Sequence, residues 1–405
     1  MPASRPCILQ LIPRLDTGGA EQATIDITGA LVKAGARALV ATEGGRMACS
    51  VIELGGEIVE LPLATKNPAA IWWNARRLAR LCVAQGVALI HARSRAPAFS
   101  GLMAARRLGI PFVATYHGAY GGTSAVKTWY NGVMARGDAV IANSRYTARL
   151  IAERHNSPAE RIHVIPRGID LVRFDPAAVA PERSAALRTK WGVRTDQPVI
   201  VCAARLTDWK GQRVIVDAAA LLARDGRLGD AAVVLAGDAQ GRDGYVEELR
   251  VAISKAGLGA QVILGGHCED IPAAFLTATL SVIASTKPEA FGRVSAESLA
   301  MGTPVVSTNI GAPPETLAHP GGEQLGWLVL PGDAAALAGA MAAALNLPAA
   351  ERARLGLLAR EHVAAHFSLA QMQLGTLVLY DRLLGTDMAV AFSRNQPLIT
   401  QFYAE

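Results

Sequence analysis

Residues 288–306, PEAFGRVSAESLAMGTPVV, carry two carboxylates, Glu289 and Glu297, with Phe291, Gly292 and the start of a helix between them. An ionised carboxylate only accepts hydrogen bonds, which suits it to a polyol. Glu297, on the first turns of the helix, is placed for a ribose diol, and Glu289, still in the loop, for the hydroxyls of a sugar. The backbone N–H groups of residues 292–295, including those of Gly292, Arg293 and Val294, open the helix and suit phosphate oxygens. A solvated helix bearing two glutamates would not call for Pro288, Phe291 and Gly292.

Residues 204–211, ARLTDWKG, bring Arg205 and Lys210 into one loop just after an apolar run. Arg can grip phosphate oxygens with two parallel hydrogen bonds while Lys acts as a point charge, a combination that matches a diphosphate leaving group. A surface loop is the plainer alternative. In residues 15–22, LDTGGAEQ, Gly18 and Gly19 follow a strand and open a helix, where an anion would be welcome. A tight structural turn fits them equally well, and Glu21 suits the helix dipole by itself. His117 follows the run PFVATY and precedes Gly118, so it is open to both a structural and a ligand-contacting role.

These residues need a scaffold, and the hydrophobic pattern supplies one. Short apolar runs at 7–13, 37–42, 57–61, 87–92, 111–116, 138–142 and 162–165 alternate with helical stretches such as 20–34, 68–85, 97–108 and 144–155. A second series starts at 198–204 and continues at 231–236, 261–265, 280–284, 304–307 and 326–329. Its helices are expected at 211–224, 243–256, 293–301, 333–345 and 350–366. Strand–helix alternation of this kind predicts parallel sheets covered on both faces, here two consecutive doubly wound α/β units. Pro166, Pro176 and Pro181 suggest that the connection between them lies within 166–196. From Gly385 onward the pattern is lost, and a mobile or partner-dependent end is expected. Ligands of open α/β sheets sit beyond the carboxyl ends of the strands. That edge also collects residues 91–95 with Arg93 and Arg95, then Asn143, Gly237 and residues 265–270.

At 405 residues, half of them hydrophobic, the chain is long enough for two cores. Cys7, Cys49, Cys82, Cys202 and Cys268 are scattered without a C-x-x-C pair and read as reduced thiols. No H-E-x-x-H, Asp-x-Asp or clustered His/Cys set predicts a metal site, and neither G-x-S-x-G nor the dinucleotide fingerprint G-x-G-x-x-G is present. The last absence removes the nicotinamide oxidoreductases. Residues 7–13 lack the flanks of a signal peptide, and no uncharged run is long enough to span a bilayer, so a soluble, cytoplasmic protein is expected. Charge is uneven: through Lys190 there are 24 Lys+Arg against 13 Asp+Glu, a net of +11, while the remainder carries −5. A basic half can concentrate an anionic partner such as lipid headgroups, or simply be a solvated face. Nucleic acid is disfavoured, because the arginines lack interleaved aromatics and no known motif appears.

Taken in order, GGAEQ, His117 after its strand, ANSRYT, IPRGID, the Arg205–Lys210 loop and the Glu289–Glu297 segment resemble the family 4 retaining glycosyltransferases of GT-B architecture. The resemblance runs from the first strand to about residue 383. It implies two Rossmann-like domains, 1–180 on the acceptor side and 181–367 binding a nucleotide sugar, with an interdomain cleft. It further implies a helix at 368–385 crossing back to the first domain and a tail at 386–405. Arg205 and Lys210 would stabilise the departing diphosphate, Glu289 and His117 would contact the sugar, and Glu297 would bind the ribose. Gly18, Gly19, Gly237, Phe291, Gly292, Arg293 and Val294 would line the donor, with His267 and Ile271 near the base. Arg93, Arg95, Asn143 and Arg167 would lie on the acceptor side. The resemblance implies no cofactor and no metal, a UDP- or GDP-linked hexose, and a lipid-linked or oligosaccharide acceptor in lipopolysaccharide or surface-polysaccharide synthesis. It is compatible with peripheral association at the inner membrane face. Two rivals share the shape: a nucleotide-sugar epimerase, which the paired glutamates disfavour, and a non-catalytic nucleotide-binding module.

Overall fold

A computed structural model of the chain describes residues 5–16, 18–118 and 124–395. These form two compact units. The first comprises the chain up to Gly168 together with the segment from Leu369 onward, and the second is Ile169–Ser368.

Among the described residues the first unit has seven parallel strands: β1 (Cys7–Leu11), β2 (Arg37–Thr42), β3 (Glu57–Glu60), β4 (Val87–Ala92), β5 (Phe112–Tyr116), β6 (Ala139–Ala142) and β7 (Ile162–Val164). Their order across the sheet is β3-β2-β1-β4-β5-β6-β7. The short apolar runs are buried along nearly their whole length in β1, β2, β4, β5 and β6, as expected of strands covered on both faces. Leu78, Ala79, Ala104, Ala105 and Ile151 close one face, from the helices Pro68–Gln85, Arg95–Leu108 and Arg145–His155. Ile27 and Leu31 of Gly19–Lys33 close the other face with Leu377 and Tyr380 of Leu369–Leu384.

The second unit has six parallel strands among the described residues: β8 (Val199–Ala203), β9 (Ala232–Ala236), β10 (Val262–Gly266), β11 (Leu280–Ile283), β12 (Val305–Thr308) and β13 (Gly326–Val329). They are ordered β10-β9-β8-β11-β12-β13. In both sheets the direction of winding reverses once, between β1 and β4 and between β8 and β11. Such a switch point leaves a crevice at the carboxyl ends of the two central strands, because the flanking connections leave in opposite directions.

Two sequence expectations change. The chain passes from one unit to the other at Gly168/Ile169, not near 180, and residues beyond it are core rather than linker: Ile169, Phe174 and Val179 are buried with Leu187 and Trp191. The segment from Gly385 does not dissolve into a loose end. Met388–Arg394 is a helix whose Met388, Ala389 and Phe392 are buried against the first unit. The Asp381 carboxylate supplies its start, accepting from the N–H groups of Met388 and Ala389 at 2.8 Å each. The remainder of the expected tail, 396–405, lies outside the described residues. Ile271–Thr277, a segment to which the sequence pattern assigned no element, is helical, started by Asp270 as N-cap with Pro272 in its first turn, where a missing N–H costs nothing.

Candidate functional site

In the second unit the loops after β8 and β11 meet at the switch point. Lys210 Nζ lies 2.8 Å from Glu289 Oε1, with the two side chains only 12% and 11% exposed. Ser285 Oγ donates to the same oxygen at 2.5 Å, and the Lys210 ammonium also stands 4.5 Å from the centre of the Trp209 ring. The two loops are pinned to each other by the backbone: Thr286 N–H donates to Trp209 O at 2.8 Å. Gly211 is indispensable here. Its φ is +74°, and a Cβ would stand 1.9 Å from Ala284 O. Glu289 is held from behind as well, since Ala312 N–H donates to its carbonyl at 2.9 Å.

Arg205 is on the same edge but does not join the Lys210–Glu289 pair. Its guanidinium donates to Gln240 Oε1 at 3.4 Å, and its carbonyl accepts from Gln212 Nε2 at 2.9 Å. Gly237, after β9, lets the backbones touch: a Cβ there would lie 1.8 Å from Ala204 O.

Glu297 is buried on the helix Arg293–Ala300 and accepts from Arg293 Nε at 2.6 Å. Burial pushes its carboxyl pKa up, with the Arg293 charge and hydrogen bond opposing the shift. Gly292 caps this helix at φ +76°. Ser295 N–H turns back onto Gly292 O at 3.0 Å, so it is not an outward donor as the sequence suggested. Phe291 is buried edge-on against Phe367 and anchors the loop rather than facing a ligand. Val294 is partly buried against the core. His267 is exposed and gives its carbonyl to Lys190 Nζ at 2.8 Å, while Ile271 is the first residue of its helix.

In the first unit His117 sits just beyond β5. Arg167 Nη2 donates to His117 Nδ1 at 3.0 Å, which makes Nδ1 the acceptor and places the ring proton on Nε2. Nε2 is buried with no hydrogen-bond partner among the described residues. Burial, then the Arg167 and Arg93 charges, holds the imidazole pKa well below its ordinary value, so the ring stays neutral. Arg167 packs directly on Gly19, where a Cβ would be 1.7 Å from Nη1. The Glu21 carboxylate folds back towards Gly18, 2.5 Å from where a Cβ would stand.

Other first-unit residues have internal duties. Arg93 is buried, donating through Nε to Gln10 Oε1 at 3.1 Å and through Nη1 to Thr115 Oγ1 at 3.4 Å. It therefore shapes the crevice from inside rather than presenting a free cation to an acceptor, because a buried guanidinium must spend its donors on the protein. Arg95 donates to Asn131 Oδ1 at 2.8 Å. Asn143 accepts from Thr147 Oγ1 at 3.0 Å beside the helix start at Ser144. His91 is clamped between the Tyr380 hydroxyl at 2.5 Å and Thr115 Oγ1 at 2.7 Å. No sequence signal marked Tyr380, Gln10 or Gln240, whereas Ser285 stood at a strand end. The arginines are also not devoid of aromatics: the Arg76 guanidinium stacks 3.6 Å over the Trp72 ring.

Comparison with known proteins identifies the family of the chain. Residues 17–173 match the model of Glycosyltransferase Family 4, and residues 184–362 match that of Glycosyl transferases group 1. A crystal structure of a glycosyltransferase from Rickettsia africae is 30% identical, with 95% of this chain and 100% of that one covered at a TM-score of 0.86. Anabaena Alr3699/HepE, crystallised with UDP-glucose, is 25% identical, with 93% and 99% covered at a TM-score of 0.76. The lipopolysaccharide core biosynthesis mannosyltransferase LpsB of Rhizobium meliloti is 30% identical over 260 residues, 63% of this chain and 69% of the relative. The chain spans about half the length of other curated relatives it matches, 42% and 58% of two D-inositol 3-phosphate glycosyltransferases. With both halves matched and the fold shared over nearly its whole length, the chain belongs to the group 1 glycosyltransferases of GT-B architecture.

Proposed function

We propose that the chain is a retaining, metal-independent hexosyltransferase. It would move a hexose from a UDP- or GDP-linked donor to a lipid-linked or saccharide acceptor in lipopolysaccharide or surface-polysaccharide synthesis. The observation that carries this reading is the Lys210–Glu289 pair at the switch point of the second sheet, with Arg205 on the same edge. A donor diphosphate offers Lys210 a stronger anionic partner than Glu289 and Arg205 a partner in place of Gln240. Glu289, released, then accepts from the sugar hydroxyls, and Glu297 accepts from the ribose diol.

Neutral His117 would donate its Nε2–H to a sugar oxygen, with Gly18, Gly19 and Arg167 shaping that region. The acceptor hydroxyl attacks the anomeric carbon from the face that the diphosphate leaves. One C–O bond forms as the other breaks, and the hydroxyl proton passes to the departing phosphate oxygen. No side chain is needed as nucleophile or base. The cations stabilise the charge that develops on the leaving group, the role of a preorganised electrostatic site. The names of the Rhizobium and Anabaena relatives support a mannosyl or glucosyl donor and a glycolipid product. A lipid-linked acceptor also implies peripheral association with the cytoplasmic face of the membrane.

Thermal unfolding with UDP, GDP, ADP and their sugars, with and without chelator, tests the reading. A ligand at 100 times its Kd adds about 2.7 kcal/mol, or roughly 5–10 °C for a unit of this size. A shift with one nucleotide family, unchanged by chelator, is expected. No shift with any of them would overturn the donor assignment.

A further inference from the structure

The first unit carries an apolar and basic face that neither the site nor the core uses. Trp72, Trp73 and Val83 on the helix Pro68–Gln85 are 40%, 54% and 71% exposed. Met103 on Arg95–Leu108, and Val126 and Trp129 on Ala125–Asn131, are exposed too. The three helices contain no aspartate or glutamate.

They are neighbours. Ser100 Oγ donates to Ile71 O at 3.0 Å, and the adjacent Phe99 ring lies 5.5 Å from Trp129, so the tryptophans gather at one end of the face. Arginines run between them. Arg76 stacks on Trp72, Arg136 stands 5.4 Å from the Trp129 ring, and Arg77, Arg80 and Arg107 are exposed. Asp138 neutralises Arg106. No carboxylate pairs with Arg76, Arg77, Arg80 or Arg107 among the described residues. A groove lined by Thr128, Trp129, Gly132, Arg136 and His155 opens beside Trp129.

Half-exposed tryptophans have an apolar body and one N–H donor, which suits the boundary between headgroups and acyl chains. Unpaired arginines beside them are drawn to anionic headgroups. A single-stranded nucleic acid would use the aromatic faces and the charge but not the exposed aliphatic groups of Val83, Met103 and Val126. We propose that this face docks on an anionic lipid bilayer, with Trp72, Trp73 and Trp129 inserted at the interface and Arg76, Arg77 and Arg80 on the headgroups. The inference rests on the membrane-associated reading above and names the surface responsible.

The test is co-sedimentation of the full chain with phosphatidylcholine vesicles with and without phosphatidylglycerol. The wild type should bind the anionic vesicles and be released by salt. At about fivefold per arginine, R77Q/R80Q should lower the partition roughly 25-fold. W72S/W73S should lower it more than tenfold and abolish a blue shift of tryptophan emission. Unfolding midpoints near the wild-type value establish that the variants fold, since all four side chains are exposed. Retained nucleotide-induced thermal shifts in both variants would show that the donor reading stands independently.

Absence of wild-type binding, or binding undiminished in both variants, overturns the proposal. So does concentration-dependent self-association abolished by W72S/W73S without vesicles, or capture of a single-stranded oligonucleotide in place of vesicles.

Discussion

Lys210 and Glu289, 79 residues apart, share one hydrogen-bonded ion pair at 2.8 Å, and Ser285 holds the same carboxylate oxygen. The pair satisfies two costly charges with each other, and each is a charge that a glycosyl diphosphate would need. Substitution of Lys210 or Arg205 by alanine should lower turnover by about 10²–10³-fold, the loss typical of one preorganised donor to a charged transition state. Steady-state kinetics of folded K210A and R205A check this, and wild-type rates would remove them from the machinery. K210A should also be less stable than K210M/E289M, because the single change strands a carboxylate.

Glu297 is predicted to trade stability for binding. Its carboxyl pKa is raised by burial, so its contribution to folding is fully present below the ordinary carboxylate range and is lost as pH rises through the raised value. At neutral pH E297Q should therefore unfold at a higher temperature than the wild type while binding nucleotide more weakly. Paired melting and titration experiments would show the two effects with opposite signs.

Three histidines predict an acid-side loss of stability. His91 and His117 are held well below their ordinary pKa, and His362, close to His319 and His366, is lowered to about 4, all chiefly by burial. A depressed base stabilises the fold above its unfolded pKa near 6.5, and that contribution falls away towards the folded value. For His362 the window is pH 6.5 to 4, and the loss is about 3 kcal/mol. Urea unfolding across this range should show the decline, and H362L should flatten part of it.

Phe392 is fully buried in the helix that the sequence pattern did not reveal. F392A should cost about 3–5 kcal/mol, as for other buried aromatic truncations. The melting curve should show the first unit losing stability, with nucleotide shifts from the second unit retained.

The strands were legible because runs such as VIVCA and AVVLA leave little alternative to a strand buried on both faces. In the candidate site, the sequence order placed Lys210 and Glu289 in loops that follow strands, and the structure pairs them. Position alone misled at Arg93: the same strand-end rule nominated it, but only the fold reveals that Gln10 and Thr115 take up its donors. The helix Met388–Arg394 was hidden because its start is completed by Asp381, a carboxylate on the preceding helix, and because seven residues carry little periodicity. Gln240 and Tyr380 act through partners 35 and 289 positions away, distances at which a single sequence holds no trace of pairing.

The discontinuity of the first unit gives its assembly an order in time. Tyr380 and Phe392 complete one face of its sheet, yet they emerge from the ribosome only after the whole of Ile169–Ser368. At 5–20 residues per second, those ~200 residues delay completion by about 10–40 s. The second unit, uninterrupted, is finished first. Meanwhile Ile27, Leu31 and Val113 wait uncovered on the nascent chain, making the earliest-made unit the last to be sealed and the one most in need of a chaperone's attention.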